Sequence, residues 1–291
     1  LKTPTSAVLD IDVPREVLIK ALTYTDKRVE FELNKVTKSI RRLKHLPQYA
    51  SRLEALEARR DVLKKERTKC LLDGEVVPSG LADRVATMSG DSIRRDYELP
   101  EPAGPMPWAN KPEHEDRDYQ VEAHNLLLKN AAYGPCGVEL ATGSGKSTIV
   151  RNIIRTLGLK TLVMTPSKSI AQQLYKDLVR AFGKRYVGLY GDGKKEYKKQ
   201  IVVGIDDSLT RIKRDSEIWQ ELENIEVFCV DESHLAPAET LARVCYGLAA
   251  KAPYRFFFSG TQLRADGLDL VLEGITGKIV LRKNVRDLVD E

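Results

Sequence analysis

Cys136-Gly137-Val138-Glu139-Leu140-Ala141-Thr142-Gly143-Ser144-Gly145-Lys146-Ser147-Thr148-Ile149-Val150-Arg151-Asn152-Ile153-Ile154 is the stretch whose reading decides the fold. Its first five residues read as a short strand and its last seven have helical spacing. The glycine-rich turn between them would aim backbone N–H groups and the positive end of a helix dipole at an anion. Thr142, Gly143, Ser144, Gly145 and Thr148 would line that cradle. Lys146 would reach the β- and γ-phosphates, and the Ser147 hydroxyl would ligate Mg²⁺. A lone glycine pair would fit a helix cap without a ligand. Gly-Ser-Gly-Lys-Ser-Thr between strand and helix fits a nucleotide phosphate.

Outward from this loop, apolar strand-like runs alternate with helical stretches, near Val138, Thr161–Thr165, 187–190, 201–204, Val227–Val230 and 256–259. The alternation predicts an α/β fold with a mostly parallel sheet covered on both faces. Ligands in such folds sit at the carboxyl ends of strands. Val227–Val230 runs directly into Asp231-Glu232-Ser233-His234, which places two carboxylates at that edge. Asp231 would hold Mg²⁺ opposite Ser147, and Glu232 would orient or deprotonate the attacking water.

The chain has 291 residues and a net charge of +5. That length suggests about two domains, and the modest charge permits a nucleic-acid partner without requiring one. Cys70, Cys136, Cys229 and Cys245 have no paired spacing, which fits free thiols in a reducing cytoplasm. The four histidines show no metal-ligand spacing, so no structural zinc is expected. No apolar run approaches a membrane span.

A boundary falls at Leu99-Pro100-Glu101-Pro102-Ala103-Gly104-Pro105-Met106-Pro107, continuing to Pro112. Proline removes backbone donors, so the segment reads as an extended linker, with Trp108 as an anchor against one domain. The expected division is 1–99, a small α/β nucleic-acid-binding domain with a charged helical insertion; 100–116, the linker; and 117–291, the nucleotide-binding domain. Within the first part, Val8, Leu9 and Ile11 suggest a strand and Pro14 to Tyr24 a helix. Val29, Phe31 and Leu33 alternate as a second strand, and Gln48 to Lys69 reads as a charged helix. Residues 27–69 hold fourteen Lys or Arg against six Asp or Glu. That surplus, including Arg41, Arg42, Arg59 and Lys64, favours salt-dependent contact with a nucleic-acid backbone.

Ala-Thr-Gly-Ser-Gly-Lys-Ser and Asp-Glu-Ser-His resemble motifs I and II of superfamily 2 helicases of the DExH type. The loop departs from the generic phosphate-loop pattern, because Leu140 stands where that pattern has its first glycine. Arg117-Asp118-Tyr119-Gln120 resembles the element in which Arg and Gln recognise adenine. Thr165-Pro166-Ser167 through Gln172, with Lys168, resembles motif Ia, which touches the nucleic-acid backbone. Ser259-Gly260-Thr261 resembles motif III, which couples the ATP state to nucleic-acid binding. Gly191-Asp192-Gly193 followed by lysines, and Gln262-Leu263-Arg264-Ala265-Asp266-Gly267, are similar to phage UvsW-like branch-migration helicases. The resemblance implies RecA-like lobes, with Lys146, Asp231, Glu232 and His234 as the catalytic set and ATP with Mg²⁺ as cofactors. It further implies nucleic-acid contacts at Pro166, Ser167, Lys168, Gln172, Gly193, Lys194, Lys195 and Ser208. The usual threonine of motif Ic is missing around Asp206-Asp207-Ser208.

The resemblance covers roughly residues 117–280, and no sequence matching a second lobe follows. The chain is therefore expected to be the N-terminal part of a longer ATP-dependent DNA translocase, slow at hydrolysis without an arginine finger from a second lobe. Forked, branched or duplex DNA in recombination, replication or repair is the expected substrate. A monomer is favoured, in the cytoplasm (of the host, if phage-encoded). A DExH RNA helicase, a restriction-enzyme motor, a small-molecule NTPase and a non-catalytic DNA-binding module remain as alternatives.

Overall fold

The computed structural model describes residues 2–11, 13–110, 112, 115–260, 269–284 and 287. The chain begins with β1 (Ser6–Val8), α1 (Arg15–Ala21), β2 (Thr23–Thr25), α2 (Lys27–Leu43), α3 (Ala50–Glu66), β3 (Thr68–Cys70), β4 (Val76–Pro78) and α4 (Ala82–Ser89). β1 pairs with β4 and β2 with β3, both antiparallel. Leu18, Leu22, Val77, Leu81 and Val85 form a small core beside these ribbons.

α2 and α3 are antiparallel arms of a helical hairpin closed at its base by the short β2–β3 ribbon. The alternation at Val29, Phe31 and Leu33, which suggested a strand, lies inside α2. The physical reason is the longer pattern: Val29, Leu33, Val36, Ile40 and Leu43 recur at helical spacing over four turns and outweigh five alternating residues. Leu33 and Ile40 are buried while Phe31 is 73% exposed, which a half-buried strand would not allow. The Asp26 carboxylate caps the helix by accepting from the Arg28 N–H at 3.0 Å. The Pro14 to Tyr24 helix is shorter than expected and gives way to β2 at Thr23.

Residues 100–110 form no helix or strand, yet they do not hang free. Ala103 N–H donates to Leu157, Met106 N–H to Arg155 and Ala109 N–H to Ala181. Trp108 stacks on Phe182 with ring centroids 5.2 Å apart, and the Arg155 guanidinium covers its ring. The proline-rich segment is a strap laid along the nucleotide-binding part, tied by the N–H groups of its non-proline residues.

The remainder comprises α5 (Asp118–Asn130), β5 (Cys136–Leu140), α6 (Lys146–Leu157), β6 (Thr161–Thr165), α7 (Lys168–Phe182), β7 (Val187–Gly191), β8 (Lys194–Lys195), β9 (Ile201–Ile205), α8 (Asp206–Thr210), α9 (Glu217–Leu222), β10 (Val227–Val230), α10 (Ala238–Arg243), β11 (Tyr254–Ser259), α11 (Asp269–Thr276) and β12 (Lys278–Lys283). Their strands form one eight-stranded sheet in the order β12-β5-β11-β10-β6-β9-β7-β8. All neighbours are parallel except the β7–β8 hairpin. The central strands are buried on both faces, which is why they read as continuous apolar runs. The mixed α/β class is as the sequence indicates; β8 and β12 are the strands it did not reveal.

The N-terminal part docks on α11. The Arg84 guanidinium meets the Glu273 carboxylate in a two-pronged ion pair, with N···O distances of 2.9 and 2.6 Å. Lys278 and Asp83 approach to 3.2 Å. Gly80 lies so close that a Cβ there would stand 2.2 Å from the Glu273 carbonyl oxygen.

Candidate nucleotide site

The phosphate loop, Pro166-Ser167, Asp231-Glu232 and Ser259-Gly260 lie at the carboxyl ends of β5, β6, β10 and β11. The loop after β5 enters α6 through Gly145, whose φ of +79° is left-handed. A Cβ there would come within 2.6 Å of Gln120 Nε2, so glycine is required twice over. Gln120 is buried and spends both ends of its amide locally. Its Oε1 accepts from the Arg117 N–H at 3.0 Å, and its Nε2 donates to the Ser144 carbonyl at 3.0 Å. Tyr119 Oη donates to the same carbonyl at 2.6 Å and receives a bond from Arg117 Nη1 at 3.0 Å. Arg117, Tyr119 and Gln120 thereby brace the loop from behind.

Lys146 is 6% exposed. Its ammonium donates to the Leu140 carbonyl at 3.3 Å and pairs with Glu232 Oε1 at 3.0 Å. Glu232 follows β10 with a left-handed φ of +49°, a conformation that is costly for a glutamate. That turn carries its carboxylate between Lys146 and His234, whose Nδ1 lies 3.4 Å from Glu232 Oε2. His234 Nδ1 shares a 2.8 Å hydrogen bond with Ser259 Oγ. Gly260 faces Thr142 Oγ1, His234 and Glu232. Thr261, like residues 262–268, lies outside the described residues.

Asp231 sits beside this chain of contacts. Burial, then the neighbouring Glu232, pushes its carboxyl up to about 6, against a partial counter-pull from Lys146. A carboxylate held so unfavourably suits a cation. Ser144 Oγ is buried with no hydrogen-bond partner, and Glu232 Oε2 is buried with only the 3.4 Å approach of His234 Nδ1 beside it. Among the described residues no three His, Cys, Asp or Glu side chains converge as a metal cage. Mg²⁺ takes one or two protein ligands and completes its shell with water and substrate phosphate. Ser147 is the second residue of α6, directly after Lys146.

Beside the loop lies an open cavity of about 570 Å³. Arg117, Gln120, Gly143, Ser144, Gly145 and Thr148 line its inner side, as the motifs suggest. Its outer side was not foreseen: Trp108 and Asn110 come from the strap, Arg151 from α6 and Arg180 from α7. Arg151 Nη2 donates to Thr148 Oγ1 at 2.7 Å. The sequence marks Trp108 as an anchor and the others not at all; their place on the cavity depends on the strap's path and the helices' facing sides, which emerge only on folding.

The motif Ia residues cluster at the end of β6, next to β10 and three strands from β5. Pro166 and Ser167 follow β6, and Ser167 Oγ caps α7 by accepting from the Ile170 N–H. Lys168 and Gln172 both contact Asp192 in the β7–β8 turn. Gly193 lies in that turn, Lys195 is exposed, and Lys194 stands over the Tyr175 ring at 5.1 Å. Ser208 lies against Gly191. Arg41, Arg42, Arg59 and Lys64 are not part of this cluster; they stand exposed on the hairpin, where Arg59 bonds Glu32 across the two arms at 2.9 Å.

A family model described as "Type III restriction enzyme, res subunit" matches residues 113–264. UvrABC system protein B of Campylobacter hominis is 32% identical over 152 residues, which are 51% of this chain and 21% of that protein. UvrABC system protein B of Nitrosococcus oceani is 29% identical over 140 residues, 46% of this chain and 20% of that protein. The chain thus spans about a fifth of the length of these curated relatives. Among solved structures, the UvsW helicase from Bacteriophage T4 has a TM-score of 0.64 at 14% identity, over 93% of this chain and 94% of that one. At that identity the likeness is one of fold, and it extends across the N-terminal part as well as the large sheet.

Proposed function

The chain belongs to the family of the type III restriction enzyme res subunit, within the superfamily 2 helicases, and from that membership we propose that it is the ATP-binding part of a motor that moves on DNA. The observation that carries the reading is the linked set Lys146–Glu232–His234–Ser259, which joins the phosphate loop to the strand end of motif III within hydrogen-bonding distances. Helicase-family membership implies nucleotide binding; ATP with Mg²⁺ is the pairing that this donor set fits.

In this reading Ser147 and Asp231 hold Mg²⁺, which supplies charge neutralisation for the phosphates when bound. The backbone of residues 142–145 and the Lys146 ammonium seat the phosphates. Lys146 releases Glu232 as it turns to phosphate, and the freed carboxylate orients and deprotonates the attacking water. His234 and Ser259 register that change, since Glu232 is their shared neighbour. Arg117 and Gln120 line the cavity where the base is placed, and Gln120 reads the base only by exchanging one of its two local amide bonds. The division into an N-terminal binding unit (1–99), a strap (100–116) and a nucleotide-binding lobe (117–291) belongs to the same proposal.

The nucleic-acid track is the cluster at the ends of β6, β7 and β9: Pro166, Ser167, Lys168, Gln172, Gly193, Lys194, Lys195 and Ser208. The hairpin arginines and Lys64 add a second, salt-sensitive grip. Forked or branched DNA is the proposed substrate, and recombination, replication or repair the setting. A cytoplasmic site of action belongs to the same proposal; among the described residues no helix is long and apolar enough to cross a membrane.

The test is nucleotide binding and DNA-stimulated ATP hydrolysis by the wild-type chain and by Lys146→Ala. Binding that disappears in the variant while DNA affinity persists supports the reading. Nucleotide affinity that is indifferent to Lys146 would refute it. Comparison of forked duplex DNA with single-stranded RNA as competitors decides the substrate class.

A further inference from the structure

Asp192 is one of three non-glycine residues with a left-handed backbone among those described, at φ +52°. It occupies the tip of the β7–β8 turn between Gly191 and Gly193, and its two carboxylate oxygens are both engaged. Oδ1 pairs with the Lys168 ammonium, and Oδ2 accepts from Gln172 Nε2 at 2.6 Å. Lys168 above all, then Gln172 and Lys194, hold its carboxyl below the ordinary aspartate value. Lys168 and Gln172 are the two long polar side chains of the motif Ia segment, and both are spent on this one anion. A carboxylate that bridges an ammonium and a side-chain amide presents the same acceptor pattern as two oxygens of a phosphodiester.

We infer that Asp192 is a built-in stand-in for a backbone phosphate, filling the Lys168–Gln172 grip until nucleic acid displaces it. The inference rests on the proposed track along the ends of β6, β7 and β9. It makes Asp192 a determinant of how tightly that track holds. An arriving phosphate gains Lys168 and Gln172 only as Asp192 gives them up, and it then faces an unpaired carboxylate nearby. Weak, single-phosphate encounters are disfavoured, while a strand that also reaches Lys194, Lys195 and Ser208 pulls the turn open. The exchange has a consequence in salt. In the free protein Lys168 is already neutralised from within, so its engagement releases no net counterion.

The experiment compares wild type, Asp192→Asn, Lys168→Ala and the double variant in the full chain, using fluorescein-labelled forked duplex DNA and anisotropy over a series of KCl concentrations. Asparagine tolerates the left-handed turn and keeps an acceptor for Gln172 while losing the charge. Asp192→Asn is expected to bind about two- to fivefold tighter at low salt, the scale of an exposed ion pair. Its log–log salt slope is expected to be steeper by about one, for the one cation set free. The gain should vanish in the Lys168→Ala background. Unchanged or weaker binding by Asp192→Asn overturns the proposal, as does a gain that survives Lys168→Ala. A lowered melting midpoint with weakened binding would assign Asp192 to holding the turn, which also overturns it. If Lys168→Ala leaves affinity unchanged in both backgrounds, the track itself is refuted, an outcome distinct from the failure of Asp192 alone.

Discussion

In the nucleotide site, Lys146, Glu232, His234 and Ser259 are each tied to the next within 3.4 Å and lie largely out of water. On the helical hairpin, Arg41 and Arg42 stand in solvent, and Lys64 has one exposed partner, Asp61, at 3.6 Å. The same residue types thus work under opposite conditions. Buried charges must be placed to within tenths of an ångström, because desolvation is recovered only through exact partners. Exposed charges act by number, because water and salt screen each of them and only their sum attracts a polyanion. Single substitutions should therefore be severe in the first region and graded in the second.

The largest effect is expected at Glu232. Glu232→Gln removes the base but keeps the shape, so hydrolysis should fall by about 10²–10⁴-fold, the usual contribution of a positioned base. Nucleotide binding should persist, because Lys146 and the loop backbone seat the phosphates. Steady-state ATPase assays alongside fluorescent-nucleotide titration check both halves. A variant that hydrolyses within threefold of wild type would remove Glu232 from the mechanism.

The joint between the two regions ranks next. At Gly80 an added side chain meets the Glu273 and Gly274 carbonyls at 2.2 and 2.6 Å. Gly80→Val must push α11 and the N-terminal part away from one another, at a cost of about 1–3 kcal/mol for overpacking. Thermal melting should show a drop of several degrees or a separate early transition. Arg84→Ala, which loses only the exposed half of the joint, should do less.

These two sites also mark what the sequence could and could not disclose. The phosphate loop and Asp231-Glu232 were legible because their chemistry needs fixed residue types at fixed short spacings, and the strands around them are uniformly apolar. The Val29, Phe31 and Leu33 segment was misread because five alternating residues fit both periods, and the deciding heptad-like stripe to Leu43 lies beyond that window. Trp108 was legible as an anchor but not as a wall of the cavity, and Arg151 and Arg180 gave no signal, since the three converge there from separate elements. The Gly80–Glu273 joint was equally silent, being a contact across nearly two hundred residues.

Substitution on the hairpin should act by degrees. Replacing Arg41, Arg42, Arg59 and Lys64 with glutamine, one after another, is expected to weaken binding to duplex DNA stepwise and to reduce the salt slope by up to about one per residue in contact. Arg59 should contribute least, because Glu32 already neutralises it. ATP hydrolysis without DNA should not change. Affinity that holds steady through all four substitutions would confine the grip to the β6–β9 edge.

The last effect is one of stability, and it has the opposite sign to the effect on activity. The Asp231 carboxyl titrates at about 6 in the folded chain against an ordinary 3.8. The folded state therefore keeps a proton that the unfolded state has released, and stability falls as pH rises across that interval. At neutral pH the whole cost is present. Asp231→Asn removes the charge that burial disfavours, while Lys146 keeps Glu232 as its partner. Without nucleotide, the variant should melt higher than wild type at about pH 7, by about 2–4 °C for each kcal/mol recovered. The difference should close below about pH 3, where wild-type Asp231 is protonated in both states. Adding ATP and Mg²⁺ should reverse the order, because only wild type has the carboxylate to bind the cation and gain from it. A variant that melts lower than wild type in the absence of nucleotide would show that Asp231 supports the fold and is not strained for the sake of its ligand.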